Sequence, residues 1–140
     1  MKTSWNLGLL YKSHTDPQIE KDILFTERAY SNFEKKYKGK TDYLKNETKL
    51  LKALVDFEAM MNSMALYKPM RYFSYVQCLD STDDKARAKI TQLSERYTKN
   101  DQKITFFELS LGKIPAATQK KFLSSKKLEH FRYYLKTNIH

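Results

Sequence analysis

The chain has 140 residues, a formal net charge of +10, and 41% hydrophobic and 14% aromatic residues. That length suffices to bury roughly two-thirds of the surface an unfolded chain exposes, and the ten Tyr and eight Phe exclude disorder, which needs low hydrophobicity together with high charge. No apolar run reaches the roughly 18 residues that span a bilayer, and the start MKTSWNLGLLYKSH reads as neither a signal nor an anchor.

Gly and Pro number three each, so the backbone has few places to turn sharply. Long helices follow as the class. Cys78 is the sole cysteine, which excludes an internal disulfide; a buried thiol in a reducing, cytoplasmic compartment is the expectation. The tripeptide Asn46-Glu47-Thr48 matches the glycosylation pattern but carries no weight by itself.

Asp16-Pro17 is a helix start: the carboxylate accepts from free N–H groups, and proline at the first helical position gives up none that was used. Ile19, Ile23, Tyr30, Phe33 and Tyr37 recur at helical spacing until Gly39, so the first helix is expected over Asp16 to Lys38. Thr41 or Asp42 opens a second, with Leu44, Leu51, Leu54, Phe57, Met61 and Met64 on one face. Pro69 disfavours helical geometry at residue 68, so this helix is expected to end near Tyr67 and a shorter one to cover Met70 to Leu79. Met60, Met61, Met64 and Met70 read as adaptable core filler.

Ser81-Thr82-Asp83-Asp84 supplies a cap and first-turn acids. Ala86, Ile90, Leu93, Tyr97, Asn100, Ile104, Phe107 and Leu111 then alternate steps of four and three, predicting one helix from Thr82 to Leu111, about 45 Å long. Residues 104–111, ITFFELSL, have strand-like composition. Their register continues the heptads without a slip, which favours helix. Gly112 closes it, Pro115 starts a short helix to Leu123, and Ser124 or Ser125 caps a last one carrying Leu128, Phe131 and Leu135. The whole reads as one all-α domain over 1–140, a bundle of five or six helices with long antiparallel hairpins.

Chemistry is sparse. His14, His130 and His140 form no HExxH and no pair at ligand spacing, so no metal residue is assigned. There is no G-x-S-x-G elbow and no phosphate-binding glycine loop, and Asp83-Asp84 reads as capping. No catalytic or cofactor-binding residue is assigned either. Lysines gather at Lys35, Lys36, Lys38 and Lys40 and at Lys113, Lys120, Lys121, Lys126 and Lys127. Cations suit helix C-termini, and a solvated basic surface outweighs a phosphate site in this pattern.

The order of motifs resembles one family. Trp5-Asn6-Leu7, Leu9-Leu10-Tyr11 and Asp16-Pro17 are similar to the W-x-L-x-x-L-Y-x-x-x-x-D-P opening of bacterial oligoendopeptidase F zinc metallopeptidases, of the thimet oligopeptidase group. Phe33, Lys36, Tyr37, Lys38, Gly39 and Lys40 match F-x-x-K-Y-K-G-K; Tyr72, Asp83-Asp84 and Ile104 to Leu109 resemble the later I-x-F-F-E-L-E-L stretch, with Ser110 departing from its usual Glu. Phe131 to Leu135 looks like the segment preceding a His-x-Leu-Ser turn.

The resemblance implies a two-lobed helical zinc peptidase of several hundred residues that cuts short peptides. This chain would be its N-terminal region, part of the cleft wall, inactive alone, with the remainder of the peptidase as partner. Zinc is implied for the full-length relative and not for these residues. FRYYLKTNIH, with no helix stop, fits a chain whose relatives continue, and Phe106, Phe107 and Phe131 to Leu135 are expected to expose an apolar face through which the chain self-associates. The alternative is a stand-alone basic helical module that binds nucleic acid or a partner helix.

Overall fold

The computed structural model describes residues 7–138; Trp5 and His140, both singled out in the sequence, lie outside them. Among the described residues the fold is all-α, with six α-helices, three 3-10 helices and no strand.

Helix α1, Pro17–Tyr37, starts as expected. The Asp16 carboxylate accepts from the Lys12 and Gln18 amides, each at 2.9 Å, and these bonds hold its pKa below the usual carboxylate range. Ile19, Ile23, Thr26, Tyr30, Phe33 and Tyr37 form its buried stripe. Gly39 follows at φ +78°, the left-handed region where a side chain is strained.

The next segment differs from the expectation. The single helix expected to end near Tyr67 is a 3-10 helix, Asp42–Leu44, followed by α2, Glu47–Met61, whose first turn is capped by the Asn46 side chain accepting from the Lys49 amide at 3.0 Å. The break falls at Ser63, extended at φ −63° and ψ 129°, and α3, Met64–Leu79, runs straight through Pro69. A proline removes one donor, here the one that would serve the Ala65 carbonyl, and crowds that carbonyl. Burial of Leu66, Pro69, Tyr72, Phe73 and Val76 along α3 outweighs that loss.

Helix α4, Asp84–Leu111, is 28 residues and about 42 Å long. All eight positions of its expected stripe are buried or half-buried, and ITFFELSL is helical. Gly112 follows without a positive φ. A Cβ there would lie 3.4 Å from the Asn138 carbonyl oxygen, an ordinary van der Waals contact. Helix α5, Ala116–Ser124, begins after Pro115, and α6, Arg132–Asn138, is preceded by a 3-10 helix, Glu129–Phe131. Ser125 therefore ends α5 where Ser124 or Ser125 was expected to cap the last helix, yet Leu128, Phe131 and Leu135 are all buried.

The chain forms two compact units. The first comprises residues up to Ala29 with Asn62–Asn100, and the second Tyr30–Met61 with residues from Asp101 onward; α1 and α4 each contribute to both. The first has a core of Tyr11, Ile19, Ile23, Tyr72, Phe73, Val76, Ala86 and Leu93. The second is built on aromatic rings. Phe107 stands 5.0 Å from Phe57 and 5.2 Å from Phe33 between centroids, with Tyr43 at 5.8 Å, and Tyr134 lies 5.8 Å from Phe57.

Three exposure expectations are corrected. Cys78 is exposed, because it lies two residues beyond buried Val76, about 200° round α3 and so on its opposite face. Met64 is 68% exposed at the start of α3, whereas Met60 is buried. Of the segments expected to expose an apolar face, Phe107, Phe131 and Leu135 are buried; Tyr133, at 84%, stands in solvent by itself in its helix.

Candidate functional site

Among the described residues no group of three or more His, Cys, Asp or Glu gathers as a metal site, and no helix is long and apolar enough to cross a membrane. His14 and His130 each face one carboxylate: Nε2 of His14 lies 2.9 Å from Asp83 and Nε2 of His130 lies 3.0 Å from Glu58. The zinc ligands implied by the family resemblance have no counterpart in these residues.

In the first unit His14 joins two residues far from it in sequence. Its Nδ1 lies 3.1 Å from the Tyr72 hydroxyl and its Nε2 2.9 Å from Asp83 Oδ2. With Asp83 ionised, Nε2 carries the proton and donates, which leaves Nδ1 to accept from Tyr72. Asp83 also caps α4, its Oδ1 accepting from the Ala86 amide at 3.0 Å, so the capping expected at Asp83-Asp84 belongs to Asp83. The His14 bond, first among the causes, and the Ala86 amide hold the Asp83 pKa below the ordinary value.

A hydroxyl, an imidazole and a carboxylate in that order have the form of a nucleophile, its base and an orienting acid. The environment argues against that chemistry. Tyr72 is 4% exposed, its ring packs edge-on to Tyr11 and Phe73, and burial raises its pKa, so the hydroxyl stays protonated and out of a substrate's reach. The arrangement is a clamp that fastens the segment before α1 to α3 and to the start of α4.

Two further braces sit in the same unit. Tyr11 donates to Asp22 at 2.6 Å, and Lys68 Nζ lies 4.7 Å from the Tyr11 ring centroid. Arg96 on α4 forks onto α1: Nη1 and Nη2 each reach Glu20 at 3.0 Å, and Nε donates to Glu27 at 2.7 Å. Arginine's planar set of donors suits this bidentate contact.

The second unit holds a basic cavity. Its volume is about 240 Å³, and Lys36, Tyr37, Lys40, Asp42, Tyr43, Lys49 and Lys52 line it. The end of α1 supplies Lys36 and Tyr37, the turn at Gly39 brings Lys40 back beside them, and the first two turns of α2 add Lys49 and Lys52. Lys36 pairs with Asp56 at 2.7 Å and Lys49 with Asp42 at 3.3 Å. Lys40 and Lys52 form no ion pair among the described residues.

Local electrostatics follow from these contacts. Burial pushes the Asp56 pKa up, but hydrogen bonds from Lys36 and Tyr37 and the fields of Lys36 and Lys52 more than reverse this, so the carboxyl sits below its ordinary value. The Tyr37 hydroxyl is driven the other way, by burial and by donating to Asp56. Of the lysine cluster at residues 35–40, the fold draws only Lys36 and Lys40 into the cavity; Lys38 pairs with Glu34 at 3.6 Å. Lys49 and Lys52, which stand apart from that cluster in the chain, complete it. In the other cluster Lys127 bonds the Thr48 hydroxyl at 3.1 Å and lies 3.9 Å from Glu47.

No known protein family, no curated protein and no solved structure matches the chain.

Proposed function

We propose that the chain is the N-terminal helical region of a cytoplasmic zinc oligoendopeptidase of the oligoendopeptidase F type, contributing part of the wall of a cleft that takes short peptides. What carries the reading is the order of motifs along the sequence. The residues bearing them also have fold-defining places: Asp16 and Pro17 start α1, Tyr37 and Gly39 end it, and Phe107 lies at the centre of an aromatic core. The all-α fold is of the kind such a region has.

The described residues gather no set of ligands for a zinc ion, so in this reading the metal, its HExxH ligands and the catalytic base come from sequence beyond residue 140. The role of these residues is to shape and support, and no step of peptide hydrolysis runs through them.

Reading the gene beyond the codon for His140 tests this directly. An open frame that reaches an HExxH helix and a downstream Glu is the expected result; a frame without them overturns it. The purified 140-residue chain is expected to leave a quenched short peptide uncut with zinc present. Chelator-sensitive cleavage would overturn the assignment of a supporting role.

A further inference from the structure

We infer that the cavity between the end of α1 and the start of α2 is a binding site for a small phosphorylated anion, a phosphate or diphosphate group, held by Lys40 and Lys52 with Lys36 and Lys49 as supporting charges. Four lysines line a space shared with one carboxylate, Asp42. Asp42 engages Lys49 and Asp56 engages Lys36, and among the described residues Lys40 and Lys52 form no ion pair, Lys52 sensing Asp56 only through its field. Like charges held at one small concavity repel one another, and an anion placed there relieves that repulsion.

The lining offers ammonium groups and no guanidinium. Lysine serves phosphate sites as a point charge with freely turning donors, which suits the negative charge spread over the oxygens of a phosphoryl group. Size narrows the choice of ligand. At roughly 30 Å³ per water, a volume of about 240 Å³ corresponds to about eight waters. That is room for a diphosphate and its first waters, and too little for a run of nucleotides. Tyr37 and Tyr43 form a buried aromatic lining that lowers the local dielectric and strengthens the attraction.

Asp42 gives the proposal a sign that a diffuse basic surface lacks. It lines the cavity and occupies Lys49, so it opposes an incoming anion twice. Its pKa lies below the ordinary value, chiefly through the hydrogen bond from Lys49, so it is ionised at neutral pH. Removing its charge strengthens binding even though Asp42 makes no favourable contact with the ligand.

The test is titration of inorganic pyrophosphate into the full chain at low salt, followed by calorimetry and by amide chemical shifts. Saturable one-to-one binding with shifts centred on residues 36–52 is expected. The double variant Lys40→Gln/Lys52→Gln should weaken it about tenfold, Lys35→Gln/Lys45→Gln, which removes the same charge outside the cavity, by less than about twofold, and Asp42→Asn should tighten it about threefold. These side chains are exposed, and circular dichroism verifies that the variants remain folded. Absence of saturation overturns the proposal, and so does equal weakening by the two double variants, which would mean a diffuse field. A single-stranded oligonucleotide that binds through Lys40 and Lys52 about a hundredfold tighter than pyrophosphate would overturn the small-ligand assignment in favour of a nucleic-acid surface.

Discussion

The two units hold themselves together by different physics. In the first, apolar packing is supplemented by directional polar braces: His14 between Tyr72 and Asp83, Tyr11 on Asp22, and Arg96 across Glu20 and Glu27. In the second, rings do most of this, with Phe33, Tyr37, Tyr43, Phe57, Phe107 and Tyr134 in successive contact. Polar braces fix geometry and contribute little net energy each, because folding exchanges them for hydrogen bonds to water. Aromatic packing removes large surfaces from water and adds about 0.5–1.5 kcal/mol per favourable pair. The second unit should therefore be sensitive to truncation of one ring, and the first to loss of connections between segments.

The largest expected effect is at Phe107, fully buried among Phe33, Phe57 and Tyr43. Phe107→Ala should cost about 3–5 kcal/mol, read from denaturant unfolding. Hydrogen exchange in the variant should lose protection chiefly in α2, α5 and α6; a loss spread evenly over both units would break the contrast.

A smaller effect is expected in the first unit. His14→Ala removes both hydrogen bonds of the clamp and should cost about 1–2 kcal/mol, with protection falling in residues 7–16 and at the start of α4. His14→Gln, which keeps a donor and an acceptor, should recover part of it. If the two variants are equally unstable, the clamp acts through ring packing and the two units resemble each other more than described.

Gly39→Ala should cost about 1 kcal/mol. A Cβ there meets nothing within 4 Å, so the cost is that of the left-handed backbone alone. An effect near zero in thermal unfolding would mean that the turn relaxes, and the cavity it helps to form would then be loosely held.

The pH dependence bears on both units. Burial raises the pKa of Tyr11, Tyr37, Tyr43, Tyr72, Tyr97 and Tyr134, that of Tyr97 to about 12. Above pH 10 the unfolded chain sheds these protons while the folded one keeps them, so the contribution is full below about pH 10 and is lost as pH rises through the folded values. Alkaline unfolding should therefore coincide with the growth of tyrosinate absorbance. Asp56 and Asp83 act at the other end: their lowered pKa values contribute stability above the ordinary carboxylate value, lost as pH falls through the folded one. Acid should weaken the His14 clamp and the Lys36 pair alike.

Much of this fold was legible in the sequence where local rules agree. The α4 stripe from Ala86 to Leu111 was, because period, register and burial coincide over 28 residues. The boundary between α2 and α3 was not. Pro69 is a strong local signal and Ser63 a weak one, but burial along α3 decided between them. The clamp left no trace in the sequence either, since His14 meets partners 58 and 69 positions away. The cavity was half visible: Lys36 and Lys40 stand together in the chain, whereas Lys49 and Lys52 join them only once α2 turns back.

The division of the chain has a consequence during synthesis. Each unit is made from two separated stretches, so neither is complete when its first stretch leaves the ribosome. The first unit can close once Asn100 has emerged, but Tyr30–Met61 must wait for residues from Asp101 onward. Throughout that interval Phe33, Tyr37, Tyr43, Leu50 and Leu54, all buried in the folded unit, lack the Phe107, Leu128 and Leu135 side chains that belong with them. A nascent chain of which only residues up to about 100 have emerged should thus be a better substrate for a chaperone than a shorter one or the folded 140 residues.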